Sequence, residues 1–114
     1  MKTNTILLAI AIAAGGSATA AIPMLLEERV AREEEKLIID HPIAGIENSL
    51  WFDYRSDVIE AQKELSSDLR RASDIEDRRD AWEEYAVELK HEREDYIHDM
   101  AERGFRQGSV TIID

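Results

Sequence analysis

The sequence predicts an all-α protein, and three observations carry that prediction. Glycine and proline, which interrupt helices, number only 5 and 2 in 114 residues. Neither occurs between Ile46 and Arg103, where apolar side chains recur every three or four residues. Acidic residues number 25 against 14 basic ones, a net charge of −11 that suits solvated helix faces. A chain of this length holds one small domain.

The first 20 residues predict a cleavable signal peptide. Lys2 precedes an apolar run, and Ala18-Thr19-Ala20 has the small side chains that a signal peptidase site requires. We therefore expect cleavage after Ala20, a single helical domain over residues 21–114, and export to a periplasm or the medium. The alternative is an uncleaved membrane anchor over residues 6–26, a stretch without charge.

A short amphipathic helix is predicted from about Pro23 to Ile38. Leu26, Val30 and Leu37 recur at near-helical spacing, with glutamates between them. Proline is well placed in the first turn of a helix because it lacks an N–H group. Pro42 predicts the end of this segment, since the residue before a proline avoids helical geometry.

A seven-residue apolar repeat follows, and its register predicts one buried face. We call this set the heptad face; arginines at positions 79 and 93 and an aspartate at 68 interrupt the same register. Its members are Trp51, Tyr54, Val58, Leu65, Ile75, Trp82, Leu89, Tyr96 and Met100. The unbroken register favours one long helix over about 49–103, ended by Gly104.

The alternative is a helical hairpin broken near Ser73. Ser73 and Glu76 have the spacing of a capping box, in which each side chain satisfies a backbone donor at a helix start. In either architecture the heptad face must pack against the first helix, against itself or against a second chain, as in a coiled coil. Residues 105–114 are predicted to be a flexible tail.

Two histidines on the opposite helix face are the candidate metal ligands. His91, Asp95 and His98 follow one another at steps of four and three residues, so their side chains share a face. Imidazole and carboxylate groups can bind zinc or another divalent transition metal. An acidic solvent-exposed face explains the same residues without a metal.

The amino-acid composition and the absence of known motifs exclude several classes of function. The chain has no cysteine, so thiolate metal sites and cysteine catalysis are excluded, and its acidic character argues against nucleic-acid binding. No nucleotide-binding or hydrolase motif occurs, so we do not expect an enzyme. The sequence favours an exported interaction or structural module that binds a protein partner or itself through the heptad face. The alternatives are a periplasmic metal-binding or stress-responsive protein and a membrane-tethered helical spacer.

Overall fold

The computed structural model describes residues 23–106, and over that range it contains helices and no strand. The elements are α1 (Leu26–Glu35), one turn of 3-10 helix (Ile43–Gly45), α2 (Ser49–Arg71) and α3 (Ile75–Glu102). The prediction of an all-α fold is confirmed. The predicted signal peptide and the part of the predicted tail after Arg106 lie outside the described residues.

The expected continuous helix over about 49–103 is replaced by a helical hairpin. Helix α2 ends at Arg71, Ala72 has an extended backbone with ψ 129°, and α3 begins at Ile75. The break therefore falls near Ser73, as in the alternative interpretation. The unbroken heptad register did not distinguish a continuous helix from a hairpin, because each helix of a hairpin needs only its own apolar stripe. Two stripes can keep a common seven-residue count across a short turn.

The side chains of the turn explain why the helix breaks there. The Asp74 carboxylate accepts a hydrogen bond from the backbone N–H of Asp77 at 2.8 Å. The Asp77 carboxylate in turn accepts from both the backbone N–H and the hydroxyl of Ser73, each at 3.1 Å. The capping residues are therefore Asp74 and Asp77 rather than Ser73 and Glu76, one position later than the sequence predicts. These bonds satisfy donors that a helix start otherwise exposes.

Helices α2 and α3 pack antiparallel. The ring of Tyr54 stacks on that of Tyr96 with centroids 4.9 Å apart, and Trp51 lies 5.9 Å from Tyr96. At the same end, the Asn48 side chain caps α2 by accepting a hydrogen bond from the backbone N–H of Trp51. Folding back removes these aromatic rings from water, which a single extended helix could not do alone.

The aromatic end of the hairpin also holds the segment between α1 and α2. The hydroxyl of Tyr54 accepts a hydrogen bond from the backbone N–H of Ile39 at 2.9 Å. The hydroxyl of Tyr96 accepts one from Ile43 at the same distance. The two tyrosines thus bury their rings and satisfy loop donors at once, which fixes where α1 meets the hairpin.

Helix α1 is shorter than predicted, beginning at Leu26 rather than Pro23 and ending at Glu35 rather than Ile38. It packs against α3, and ion pairs at two points fix its direction. Arg79 meets Glu27 at 3.2 Å near the start of both helices, and Arg93 meets Glu34 at 2.5 Å further along. Helix α1 therefore runs parallel to α3.

The C-terminal end of α3 is closed as the sequence predicts. Gly104 has φ +93°, and its N–H donates to the carbonyl of Ala101 at 2.9 Å. The N–H of Phe105 donates to the carbonyl of Met100, also at 2.9 Å, which completes a Schellman cap. Phe105, assigned to the tail in the sequence analysis, packs against the core. None of the helices within residues 23–106 is both long enough and apolar enough to cross a bilayer.

Candidate functional site

Most of the heptad face forms the internal core of the hairpin. Buried members are Trp51, Tyr54, Val58, Trp82, Leu89, Tyr96 and Met100, while Leu65 is half-buried against them. Ile75 is the exception at 55% exposed, because it is the first residue of α3 and lies at the turn. Since these side chains contact one another within one chain, the face is not free for a second chain in this fold.

The predicted metal ligands separate into two histidine–carboxylate contacts. The His91 imidazole lies 3.1 Å from the Asp95 carboxylate, whereas the His98 imidazole lies 3.3 Å from Glu102. All four side chains are more than half exposed. The structure therefore keeps His91 with Asp95 but does not bring His98 to them.

A different group of possible ligands forms around His98. One ligand atom each from His98, Asp99 and Glu102 lies within 4.8 Å of the others. Imidazole and carboxylate donors at this separation can share a divalent transition metal. Asp99 was not among the predicted ligands, because the predicted series of steps of four and three residues ends at His98 and Asp99 is the next residue in the chain.

The groove between α2 and α3 is lined by carboxylates from both helices. It has a volume of about 210 Å³ near the aromatic end. Its acidic lining residues are Asp53, Asp57, Glu92, Asp95 and Asp99. We call it the acidic groove. Like charges that face each other across a helix pair oppose packing.

Burial and the facing Asp57 carboxyl raise the pKa of Glu92 to about 7. The pKa of Glu88, further along α3, is also raised, first by burial and then by Glu64 on α2. Elsewhere burial raises the pKa of the Tyr85 hydroxyl, and its hydrogen bond to Glu35 acts in the same direction. The hairpin thus holds carboxyl groups that titrate closer to neutral pH than ordinary glutamates do.

The apolar stripe predicted for α1 faces solvent. Leu26 is 66% exposed and Val30 48%, and Leu37 beyond the helix is 51% exposed. The only residue of α1 that is buried is Ala31. The apolar side of this amphipathic helix is therefore turned toward solvent. Glu27, Glu34 and Glu35 face α3 instead, where they meet Arg79, Arg93 and Tyr85.

The outward residues of α1 meet an exposed valine of α3 and form a second groove. It has a volume of about 290 Å³ and lies between the two helices. We call it the α1–α3 groove, and its lining residues are Leu26, Glu27, Val30, Glu83, Ala86 and Val87. Val87 is 62% exposed. Exposed apolar residues gathered in one groove are typical of a binding surface.

Sequence reasoning did not find this groove, although the sequence holds one indication of it. Val87 lies outside the heptad face. Arg79 and Arg93 interrupt the seven-residue repeat, which indicates that α3 contacts charged residues at those two positions. Phe52, on α2, is 49% exposed. Unlike Val87, it does not line the α1–α3 groove.

Comparisons of this chain with protein-family models, curated proteins and solved structures find no match.

Proposed function

We propose that this protein is a non-catalytic helical interaction module that binds a protein partner through the α1–α3 groove. The observation that carries the proposal is the outward apolar stripe of α1. Leu26 and Val30 are about half exposed or more, although α1 is already packed on α3 through its charged side. Exposing apolar surface to water costs free energy that a bound partner would recover.

The sequence favoured the heptad face as the surface that binds a partner, whereas the proposed binding surface is the α1–α3 groove. That face supplies the core, so its burial stabilises the hairpin and leaves binding to a different surface. Export to a periplasm or the medium remains part of the proposal. The N-terminal sequence of the exported protein, read by mass spectrometry, tests it: a chain that begins at Ala21 supports export, and retention of residues 6–26 supports the membrane-tethered alternative.

In-cell photo-crosslinking tests the interaction. A photoreactive amino acid at Val87 should give a discrete adduct, while the same residue at Glu60, exposed on α2, should not. The partner is then identified by mass spectrometry, purified and titrated against the full chain by calorimetry. Adducts absent at Val87, Val30 and Leu26 alike, in cells that produce the protein, contradict the proposal.

A second candidate function is divalent-metal binding at the end of α3. The observation that favours it is the proximity of ligand atoms from His98, Asp99 and Glu102, within 4.8 Å of one another. His91 provides a matched control on the same helix, because it pairs with Asp95 outside this group. Zinc binding measured by calorimetry should be lost in His98→Gln and kept in His91→Gln.

The pH dependence of that binding distinguishes ligation from general attraction to carboxylates. Only the neutral imidazole ligates a metal, so zinc affinity should fall as the pH is lowered and the imidazole takes up a proton. Zinc affinity that is equal in both histidine variants, or weaker than about millimolar in the unmodified chain, contradicts metal binding as a function.

A further inference from the structure

We infer that the α1–α3 groove takes a basic amphipathic helix from a partner protein, an inference that rests on the proposed function. Two parallel helices with an apolar channel between them offer the geometry in which a third helix packs. Leu26 and Val30 are one turn apart on α1, so their side chains form a ridge. Side chains of the partner helix that are also one turn apart can pack on either side of that ridge.

The charges around the groove determine which kind of helix fits. Glu27 and Glu83 are the charged residues among its lining. Glu27 pairs with Arg79, whereas Glu83 is exposed and has no ion pair within residues 23–106. A lysine or arginine beside the apolar face of the incoming helix would meet Glu83.

The charge of the whole chain acts in the same direction. A net charge of −11 attracts a cationic segment at long range and raises its association rate. A second copy of this chain fits the groove less well for the same reason. It would carry the same net charge, and a symmetric contact would bring one Glu83 toward the other.

The test uses two synthetic peptides as probes and the full chain with its native N-terminus. One peptide is a helix-forming sequence with leucines on one face and lysines on the other; its analogue carries glutamate in place of lysine. Fluorescence anisotropy should show the lysine peptide binding at least about tenfold more tightly than the analogue, with affinity falling as salt rises.

The decisive comparison is Val87→Asp against Phe52→Asp. Both residues are exposed, at 62% and 49%, so both variants should keep their helical circular dichroism. Both also add the same charge, and therefore only loss of the apolar groove separates them. We expect Val87→Asp to weaken binding of the lysine peptide at least tenfold, which is about 1.4 kcal/mol. Phe52→Asp should change it less than twofold.

A second pair of variants tests the contribution of Glu83, which lines the α1–α3 groove. Glu83→Lys should weaken lysine-peptide binding at least about fivefold, whereas Glu60→Lys, the same charge change on exposed α2, should have a smaller effect. Equal weakening within either pair overturns the inference, because attraction by total charge would then explain it. Equal binding of both peptides, or dimerisation through Val87 in the absence of peptide, overturns it as well.

The inference and the proposed function can fail separately. If photo-crosslinking at Val87 identifies a partner that binds through a surface other than a basic helix, the proposed function stands and the inference fails. If peptide binding depends on Val87 and Glu83 but no cellular partner crosslinks there, the chemistry of the groove is supported and the proposed function is contradicted.

Discussion

Arg79 and Arg93 occupy positions of the seven-residue repeat that elsewhere hold apolar side chains, and both pair with glutamates of α1. The Arg93–Glu34 pair is the better shielded, with side-chain exposures of 14% and 17%. Partly buried ion pairs are costly to break because one charge is then left without a partner. At the residue scale, these arginines therefore decide that α1 presents its charged side to α3 and its apolar side to solvent.

Glu92 makes the stability of the hairpin depend on pH. Burial and Asp57 raise its pKa from 4.5 to about 7, so the folded chain binds more protons than the unfolded chain between those values. Stability should therefore increase as pH falls from about 8 to 5, by the linkage between proton binding and unfolding. Denaturant unfolding at a series of pH values measures this.

The matched controls for this prediction are Glu92→Gln and Glu60→Gln. The first should flatten the rise in stability on acidification and raise stability at pH 8, because the amide cannot ionise. The second should leave the profile unchanged, since Glu60 is exposed. The groups that face Glu92 or lie beside it are Asp53 and Asp57 on α2 with His91 and Asp95 on α3. Stability that falls steadily from pH 8 to 5 would contradict the prediction.

At the scale of elements, the turn at Ser73 determines the shape of the hairpin. Asp74 and Asp77 exchange capping bonds with the turn, and the two helices then bury one another's aromatic residues. A continuous helix would keep the same local propensities but leave one face in water. The gain in buried apolar area therefore selects the hairpin over the straight helix.

Spin labels at Gln62 and Glu84 measure the helix break directly. Both positions are exposed, so the labels should not disturb the core. A continuous helix would separate the two backbones by roughly 33 Å at about 1.5 Å per residue. The antiparallel hairpin places them at helix-packing range, on the order of 10 Å between axes. Dipolar broadening in the electron paramagnetic resonance spectrum is the expected result, and a long distance would contradict the hairpin.

Substitutions at Leu89 and Val87 test which face of α3 belongs to the core and which to the proposed binding surface. Leu89 is 2% exposed and Val87 62%. Leu89→Ala should lower the free energy of unfolding by about 2–5 kcal/mol, because it removes buried contacts and leaves a cavity. Val87→Ala should change it by no more than about 0.5 kcal/mol. Thermal or denaturant unfolding distinguishes them, and equal losses would contradict the assignment of the two faces.

At the scale of the whole molecule, the apolar repeat is used within one chain. The heptad face fills the space between α2 and α3, so it cannot also hold two copies together while the hairpin stays folded. A net charge of −11 further opposes contact between identical chains. Over residues 23–106, the molecule thus combines a core filled by its own side chains with the apolar α1–α3 groove on an acidic surface.

The expected oligomeric state follows from that arrangement. We expect a monomer across a dilution series in sedimentation equilibrium at physiological salt, with little change when the salt concentration is lowered. Leu89→Asp should unfold the chain rather than dissociate an assembly, since Leu89 packs inside the hairpin. A stable dimer that Leu89→Asp converts into a folded monomer would instead restore the heptad face as the interface.

The sequence by itself determined the helical class, most of the heptad-face positions that become buried in α2 and α3, and the C-terminal boundary of α3. Gly104 acts through local backbone bonds that neighbouring residues specify, so the sequence predicts its role. The repeat likewise identified Trp82 and Leu89 as core, because helical periodicity alone places them on one face.

Only the tertiary structure decided what those faces meet. The heptad register is the same for a straight helix and for a hairpin, and choosing between them requires knowing that Tyr54 can reach Tyr96. The direction in which α1 faces depends on ion pairs between residues more than fifty positions apart, such as Arg79 with Glu27. The α1–α3 groove exists only once those long-range contacts form, and for that physical reason local patterns in the sequence could not predict it.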